Sequence, residues 1–319
     1  MNGSDALPSQ AQIVIVNWNS GHWLRECLRS IGRFAGGRVA RTVVVDNGSG
    51  DGSDAVEGEA PDLEIVRTGE NLGFARACNL GARGATAPYL LFLNPDAMLF
   101  EGTLARALDF MDSPEAARVG ICGIRLVDDE GQIQRHCARF PNWRFFAGYS
   151  LGLSRLFPRA FPPRLMDDFD HRESREVDHV IGAFFLVRRD LFERLGGFDE
   201  RFFVYLEDLD FGKRAAEAGW ATWYLAEAEA YHKGGGTSEQ VKAHRLFYGQ
   251  RSRILYAFKH FSRPGAWAAL LTIAVLEPPV RLVRAAFTLK GGDFANTLKA
   301  TGLLLRDVPA LVASIRQSE

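Results

Sequence analysis

Residues 89–97 read YLLFLNPDA, and no other stretch limits the fold as tightly. Tyr89, Leu90, Leu91, Phe92 and Leu93 stand between Pro88 and Pro95 with no polar alternation. That length and pattern predict a strand buried on both faces, as in the middle of a parallel sheet. Pro95 has no N–H to give a ladder and stops the strand. Asp96 then lies just beyond the carboxyl end of a central strand, the edge where open α/β sheets bind ligands. A carboxylate there can hold a divalent cation, and the cation a diphosphate. Asn-Pro-Asp is also ordinary turn chemistry, so the assignment rests on its neighbours.

Those neighbours alternate. Residues 13–16 are an apolar strand ending in Asn17-Trp18-Asn19-Ser20, and Trp23, Leu24, Cys27, Leu28 and Ile31 follow at helical spacing. Residues 42–45 form a second strand ending at Asp46, and residues 63–66 a short third. Residues 74–83 read as a helix entered through Asn71-Leu72-Gly73, and residues 102–111 as another. Strand and helix in turn predict a parallel sheet with right-handed crossovers.

After about residue 119 the rhythm changes. Residues 121–127 and the acidic turn 128–131 predict a strand and a hairpin turn. Residues 138–178, rich in Arg, Phe and Pro, predict a long loop region with short helices. Residues 180–188 read as a strand, 209–218 as a helix stopped by Gly219, and 220–225 as a last strand. From residue 239 the pattern is helical. The expected organisation is a disordered start over 1–10, an α/β domain over 11–240 with halves at 11–118 and 119–240, and a helical region over 241–319.

Charge separates that last region from the rest. Residues 241–319 carry 12 Lys+Arg against 4 Asp+Glu, a net of +8, and the remainder nets -9. The uncharged run over 264–276 is short of the ~20 residues needed to cross a bilayer. Glu277-Pro278-Pro279 is expected to break it, and Arg281, Arg284 and Lys290 follow. Helices lying at a membrane surface suit this pattern, as does a helical hairpin packed on the main domain or on a second subunit. Cys27, Cys78, Cys122 and Cys137 show no CxxC spacing, which argues against a zinc ribbon or disulfide framework and suits a reducing compartment. No signal peptide is read at the N-terminus.

Asp46-Asn47-Gly48-Ser49 brings a second carboxylate and a tight turn to the sheet edge that holds Asp96. A carboxylate there can accept from a nucleobase N–H or a ribose hydroxyl, and Trp18 can stack on the base, although an aromatic residue alone is more often core. Neither GxGxxG nor GxxxxGK[ST] follows the first strand, which sets aside dinucleotide and P-loop folds. In residues 202–211, FFVYLEDLDF, three acids fall within four positions at a helix start. The helix dipole accounts for one or two of them. Asp208 is the candidate general base. His232, before a glycine run, is a candidate ligand for a metal or for leaving phosphates.

VIVNWN, VVVDNGSGDGS, NLGFARACN, LFLNPDA, GAFFLVRRDLFERLGGFDERFFVYLEDLDF and YHKGGGTS occur here in the order of the family 2 glycosyltransferases. Over residues 11–240 the chain resembles that family, and most closely its rhamnosyltransferase-like branch. The resemblance implies a GT-A fold, a Rossmann-like, mostly parallel sheet flanked by helices. It also implies a nucleotide-sugar donor, a divalent cation (Mg or Mn) and inversion at the anomeric carbon. Asp46, with Asn47, resembles the nucleobase-reading acid, Trp18 falls at the aromatic position beside it, and Asn19 is a further candidate for binding the donor. Asp96 resembles the last acid of the DxD motif, His232 the histidine that completes the metal site, and Asp208, with Glu207, the catalytic base. Gly73, Arg76 and Asn79 fall in the donor-side loop and helix. Asn94 replaces the first acid of DxD; its amide oxygen can ligate a hard cation but brings no charge.

The resulting expectation is an inverting transfer of L-rhamnose from dTDP-L-rhamnose to a lipid-linked or cell-surface glycan. It is set at the cytoplasmic face of the membrane, with no nucleic-acid partner and with room for a homo-oligomer. Donors such as a UDP-hexose or UDP-galactofuranose are the alternative. A sugar-phosphate nucleotidylyltransferase would need a Gly- and Arg-rich loop where Asn17-Trp18-Asn19 stands. A membrane-bound scaffold that had lost the chemistry is opposed by intact Asp96, Asp208 and His232.

Overall fold

A computed structural model describes residues 10–163, 165–234, 241–287 and 291–316. The first nine residues, most of the glycine run after His232, and Lys290 lie outside them. The chain divides into two compact units. One holds residues up to 138, with 168–199 and 208–237; the other holds 139–167, 200–207 and 238 onward. Segments 139–167 and 200–207, expected within the α/β domain, thus belong to the helical unit.

The first unit is built on one sheet. Its elements are β1 (Ala11–Asn17), α1 (Trp23–Phe34), β2 (Val39–Asp46), β3 (Leu63–Arg67), α2 (Phe74–Ala82), β4 (Tyr89–Leu93), β5 (Ala97–Leu99), α3 (Thr103–Asp112) and β6 (Val119–Val127). The second unit's α4 (Trp143–Leu151) intervenes in sequence, followed by β7 (Arg175–Val177), β8 (Phe184–Arg188), α5 (Arg189–Arg194), α6 (Glu207–Glu217) and β9 (Ala221–His232). The strand order is β3-β2-β1-β4-β8-β6-β9-β5, with β7 on β9.

Every residue of β4 is buried, as the unbroken apolar run requires of a central strand. β1 pairs in parallel with β2 on one side and β4 on the other, and β2 with β3. The order therefore reverses at β1, and the crevice at the carboxyl ends of β1 and β4 is the switch point where such sheets bind ligands. α1 buries Leu24, Cys27, Leu28 and Ile31, the stripe its spacing foretold.

Beyond β4 the sheet is mixed. β8 joins β4 antiparallel, with Leu93 opposite Phe184. β6 is antiparallel to β8 and parallel to β9. The strand expected over 180–188 starts at Phe184, because the Gly182 N–H goes to the Asp208 carboxylate. The last strand, expected to stop at Leu225, runs on to His232. A register shift after Ile124–Leu225 interrupts the pairing, and the continuation, AEAEAYH, is poor in strand formers. Its period-two alternation still turns Ala228, Ala230 and His232 inward. β5 was not foreseen, because its three residues follow Pro95 so closely.

The helical unit contains α4, α7 (Lys242–His260), α8 (Arg263–Leu271), α9 (Glu277–Phe287) and α10 (Gly291–Arg316). Asn142 caps α4 by accepting from the N–H groups of Arg144 and Phe145. Glu277-Pro278-Pro279 ends the uncharged run but does not break the helix. A π-turn over Thr272–Leu276 joins α8 to α9, with the Glu277 N–H bonded to the carbonyl of Thr272 five residues back. The widened turn accommodates two prolines that an α-turn would not. The helix from Arg263 to Phe287 is 25 residues, enough by length and composition to cross a membrane. Its middle is tied inward: Glu277 is fully buried, bonded to Arg253, Arg281 and Ser150. Its other side exposes Trp267, Leu271, Val275, Val280, Val283 and Phe287.

Candidate active site

Three strand ends of the first unit supply the site. β1 and β2 end in register, Asn17 opposite Asp46. Asn17 is fully buried and the two hydrogens of its Nδ2 are shared among Asp46 Oδ1 (2.8 Å), Ser53 Oγ (2.9 Å) and Ser49 Oγ (3.1 Å). The Ser49 N–H donates to Asp46 Oδ2 at 3.1 Å. Asn19, in a left-handed conformation with φ of 50°, donates its N–H to Ser49 Oγ and accepts from the Gly50 N–H. Asn47 is buried and ties this loop to the start of α2, donating to the Gly73 carbonyl at 3.0 Å and accepting from the Leu72 N–H. Gly73 has φ of 83° and begins α2; a Cβ-bearing residue would be strained there. Gly48 is equally constrained: a Cβ would meet the Glu70 backbone at 3.0 Å.

Trp18, Asn19, Asp46, Asn47 and Gly73 are thus brought to one loop cluster. Asp46 is only 4% exposed and each of its oxygens already accepts one hydrogen bond, so it organises the loop besides offering its remaining lone pairs. Trp18 is half-buried and Arg76 exposed on α2. Asn79, expected on the donor side, is tied into the fold through its amide. It donates to the Phe198 carbonyl at 2.8 Å and accepts from the Phe198 N–H at 2.9 Å. Both ends of its amide clamp the turn after α5.

At the end of β4 the chain turns through Asn94-Pro95-Asp96, with the Ala97 N–H donating to the Asn94 carbonyl. β5 then pairs with β9, Ala97 opposite His232. That pairing makes neighbours of Asp96 and His232, 136 positions apart in the sequence. His232 Nε2 lies 3.6 Å from Asp96 Oδ1 and 3.4 Å from Asn94 Nδ2. Burial pushes the His232 imidazole below its ordinary pKa, against the pull of Asp96, which favours the neutral ring that can ligate a metal. Among the described residues no group of three or more His, Cys, Asp or Glu is assembled for an ion.

The third component is Asp208. Its Oδ2 accepts from the Gly182 N–H at 2.8 Å and Oδ1 from the Leu209 N–H at 2.7 Å. His179 Nε2 lies 3.8 Å from Oδ2. The adjoining Ala183 carbonyl accepts from the Asn94 N–H, so one step of backbone connects the anchor of Asp208 to the Asn-Pro-Asp turn. The Asp208 side chain is 14% exposed, reaching solvent while its orientation is held. Glu207 is buried and belongs to the helical unit. Asp210, the third acid, is fully buried. It pairs with Arg214 at 2.8 Å, which in turn donates to the carbonyls of Leu195 and Gly197. Asp210 is a structural residue. In sequence, Tyr205 and Leu206 precede α6 with φ of 71° and 69°, a conformation that bulky residues seldom hold without a constraint.

Sequence reasoning missed Asn17 and Gln134. Asn17 was legible as the polar end of an apolar strand. Gln134, which bonds both His232 Nδ1 and the His232 carbonyl, gave no signal.

A mixed sheet with acids at its switch point has the arrangement expected of a glycosyltransferase. The chain belongs to glycosyl transferase family 2, whose sequence model matches residues 12–196. It is 29% identical over 282 residues to the N-acetylglucosaminyl-diphospho-decaprenol L-rhamnosyltransferase of Mycobacterium tuberculosis, covering 84% of this chain and 88% of that one. It is also 29% identical over 152 residues to the rhamnosyltransferase WbbL of Escherichia coli, covering 47% and 54%. The mannosyltransferase PcManGT of Pyrobaculum calidifontis, solved with GDP-Man and Mn2+, has the same fold at a TM-score of 0.52 and 19% identity, over 99% of this chain and 86% of that one. GalNAc-T7, solved with UDP, GalNAc and Mn2+, matches 80% of this chain and 51% of its own at a TM-score of 0.53 and 15% identity.

Proposed function

We propose that this glycosyltransferase moves L-rhamnose from dTDP-L-rhamnose to a hydroxyl of a lipid-linked or cell-surface glycan, with inversion at the anomeric carbon. The observation that carries this reading is the pairing of Asp96 with His232 beside an anchored, partly exposed Asp208. The donor sugar is inferred from relatives named as rhamnosyltransferases.

In this reading Trp18 and Asp46 receive the nucleobase and ribose, with Asn19 and Asn47 shaping the loop, and Gly73 and Arg76 face the donor diphosphate. Asp96 and His232 suit a divalent cation. Ligands at about 2.1 Å from one ion lie roughly 3.0–3.5 Å apart, close to the 3.6 Å between Asp96 Oδ1 and His232 Nε2. Asn94 adds a neutral oxygen if its amide turns over. A bound cation would offset the charge that the departing diphosphate gains. Asp208 accepts the proton of the attacking hydroxyl on the opposite face of the sugar. The Gly182 and Leu209 N–H groups orient its oxygens while leaving lone pairs for that proton.

The apolar stripe from Trp267 to Phe287 and the net charge of +8 beyond residue 240 support a peripheral position on an anionic membrane. There the enzyme would meet a lipid-linked acceptor. A panel of dTDP-, UDP- and GDP-sugars, assayed for transfer and hydrolysis with and without Mn²⁺ or Mg²⁺, tests the reading. dTDP-L-rhamnose is expected to be consumed fastest; preference for a UDP-hexose would replace the donor assignment.

A further inference from the structure

Gln134 lies on the segment that returns after the turn following β6, next to the isolated bridge between Val127 and Ile133, and its own N–H donates to the Leu126 carbonyl at 2.8 Å. Its side chain meets His232 twice. Nε2 donates to the His232 carbonyl at 2.6 Å, and Oε1 faces His232 Nδ1 at 3.0 Å. A backbone carbonyl can only accept, so the NH₂ of Gln134 must be the end that faces it. The amide oxygen is then the end that faces Nδ1. It too can only accept, so Nδ1 must carry the ring hydrogen. A neutral imidazole has one such hydrogen, which leaves Nε2 with a bare lone pair.

We propose that Gln134 is a positioning residue that fixes His232 in its Nδ1–H tautomer and so directs the Nε2 lone pair toward Asp96. The arrangement around Nε2 agrees. Asn94 Nδ2, a donor, lies 3.4 Å from it, and Asp96 Oδ1 at 3.6 Å is beyond the range of an N–H donation. A lone pair beside a carboxylate is what a cation needs, and an Nε2–H would block it. Hydrogen bonds to the second ring nitrogen commonly set this choice in metal-binding histidines. The inference rests on the reading of Asp96 and His232 as a cation site.

Two variants separate this role from a merely structural one. Gln134→Leu removes both hydrogen bonds. Gln134→Glu keeps an acceptor for Nδ1–H but no donor for the His232 carbonyl. The tautomer is read by two-bond ¹H–¹⁵N correlation on the ¹⁵N-histidine-labelled full chain at pH 8. Mn²⁺ affinity is measured by calorimetry in the presence of dTDP and, separately, UDP. Nδ1–H is expected in the parent protein and in Gln134→Glu, with a shift toward Nε2–H in Gln134→Leu. Mn²⁺ affinity is expected to fall ~10–100-fold in Gln134→Leu and to be largely retained in Gln134→Glu. Nε2–H in the parent, or an unchanged tautomer in Gln134→Leu, overturns the proposal. Equal damage in both variants also overturns it, since it would mean that only the bond to the carbonyl matters. A shifted tautomer with unchanged Mn²⁺ affinity would confirm the control of the ring by Gln134 and remove His232 from the cation site.

Discussion

Replacing Asp208 with Asn retains the shape of the side chain and removes its charge. In the structure one carboxylate oxygen accepts from the Gly182 N–H at 2.8 Å and the other from the Leu209 N–H at 2.7 Å. An amide offers one acceptor, so one of these N–H groups must face an NH₂. Losing a hydrogen bond to a charged acceptor costs about 1.5–3 kcal/mol, and at roughly 2–4 °C per kcal/mol the melting temperature should fall by ~3–12 °C. Most proteins have 5–15 kcal/mol to lose, so the variant should fold. If Asp208 is the general base, transfer per folded molecule should fall ~10²–10⁴-fold, equivalent to about 3–5 kcal/mol of barrier. Nucleotide affinity should hold within about twofold, since Asp208 is assigned to the acceptor side. The assay is initial-rate transfer corrected for folded fraction, with calorimetry for nucleotide binding. A loss of stability with near-parental transfer would refute the base assignment. Asp210, buried against Arg214, is no substitute; Glu207 would be the next candidate.

Other outcomes follow from the same structure. If Asp96, His232 and a neutral amide are the cation's ligands among the described residues, Mn²⁺ should bind weakly to the free protein and more tightly when a nucleoside diphosphate is present, as calorimetry with and without dTDP would register. Burial pushes the Glu277 carboxyl up, but Arg253, Arg281 and Ser150 outweigh it and hold the carboxyl at about 2, against an ordinary 4.5. The charged pair should therefore contribute about 3 kcal/mol above pH 4.5 and lose it as the pH falls toward 2. The urea midpoint gap between parent and Glu277→Gln, wide at pH 7, should close over that interval. Trp267→Asp and Val283→Asp, at positions 48% and 56% exposed, should cut sedimentation with anionic liposomes severalfold without altering the melting temperature. Equal sedimentation would remove that stripe from any membrane contact. Asp46→Ala should weaken dTDP or UDP binding, and it should also loosen the Ser49–Ser53 loop, visible as faster amide exchange there.

The parallel half of the sheet was legible because its determinants are local. A five-residue apolar run, a proline stop and acids at strand ends need no knowledge of distant partners. Asp46 and Asp96 were proposed that way, and Asp208 from an acidic cluster at a predicted helix start. What escaped depends on pairing across long separations. β5 has three residues, too few to show a period, and it exists because β9 lies beside it. β9 itself continues through alanines and glutamates that carry little strand preference, so His232 read as a loop residue when it is a strand end. Asn79 and Asp210 lie within the motif stretches, yet Asn79 bonds the backbone of Phe198 and Asp210 pairs with Arg214, which reaches the carbonyls of Leu195 and Gly197; the contact of Asn79, 119 positions away, is one no local pattern announces. The continuation of the helix through Glu277-Pro278-Pro279 escaped for a related reason: a π-turn widens the helix there, and the buried Arg253 holds the glutamate from another helix.

The most direct test of the central claim is the configuration of the product. The enzyme is incubated with dTDP-L-rhamnose and a polyprenyl-diphosphate-linked sugar acceptor, and the anomeric one-bond C–H coupling of the transferred sugar is measured by NMR. A single attack assisted by one base predicts a rhamnosyl product of inverted configuration relative to the donor, formed by the parent protein and all but lost in Asp208→Asn. Retention of configuration, or undiminished transfer by that variant, would contradict it.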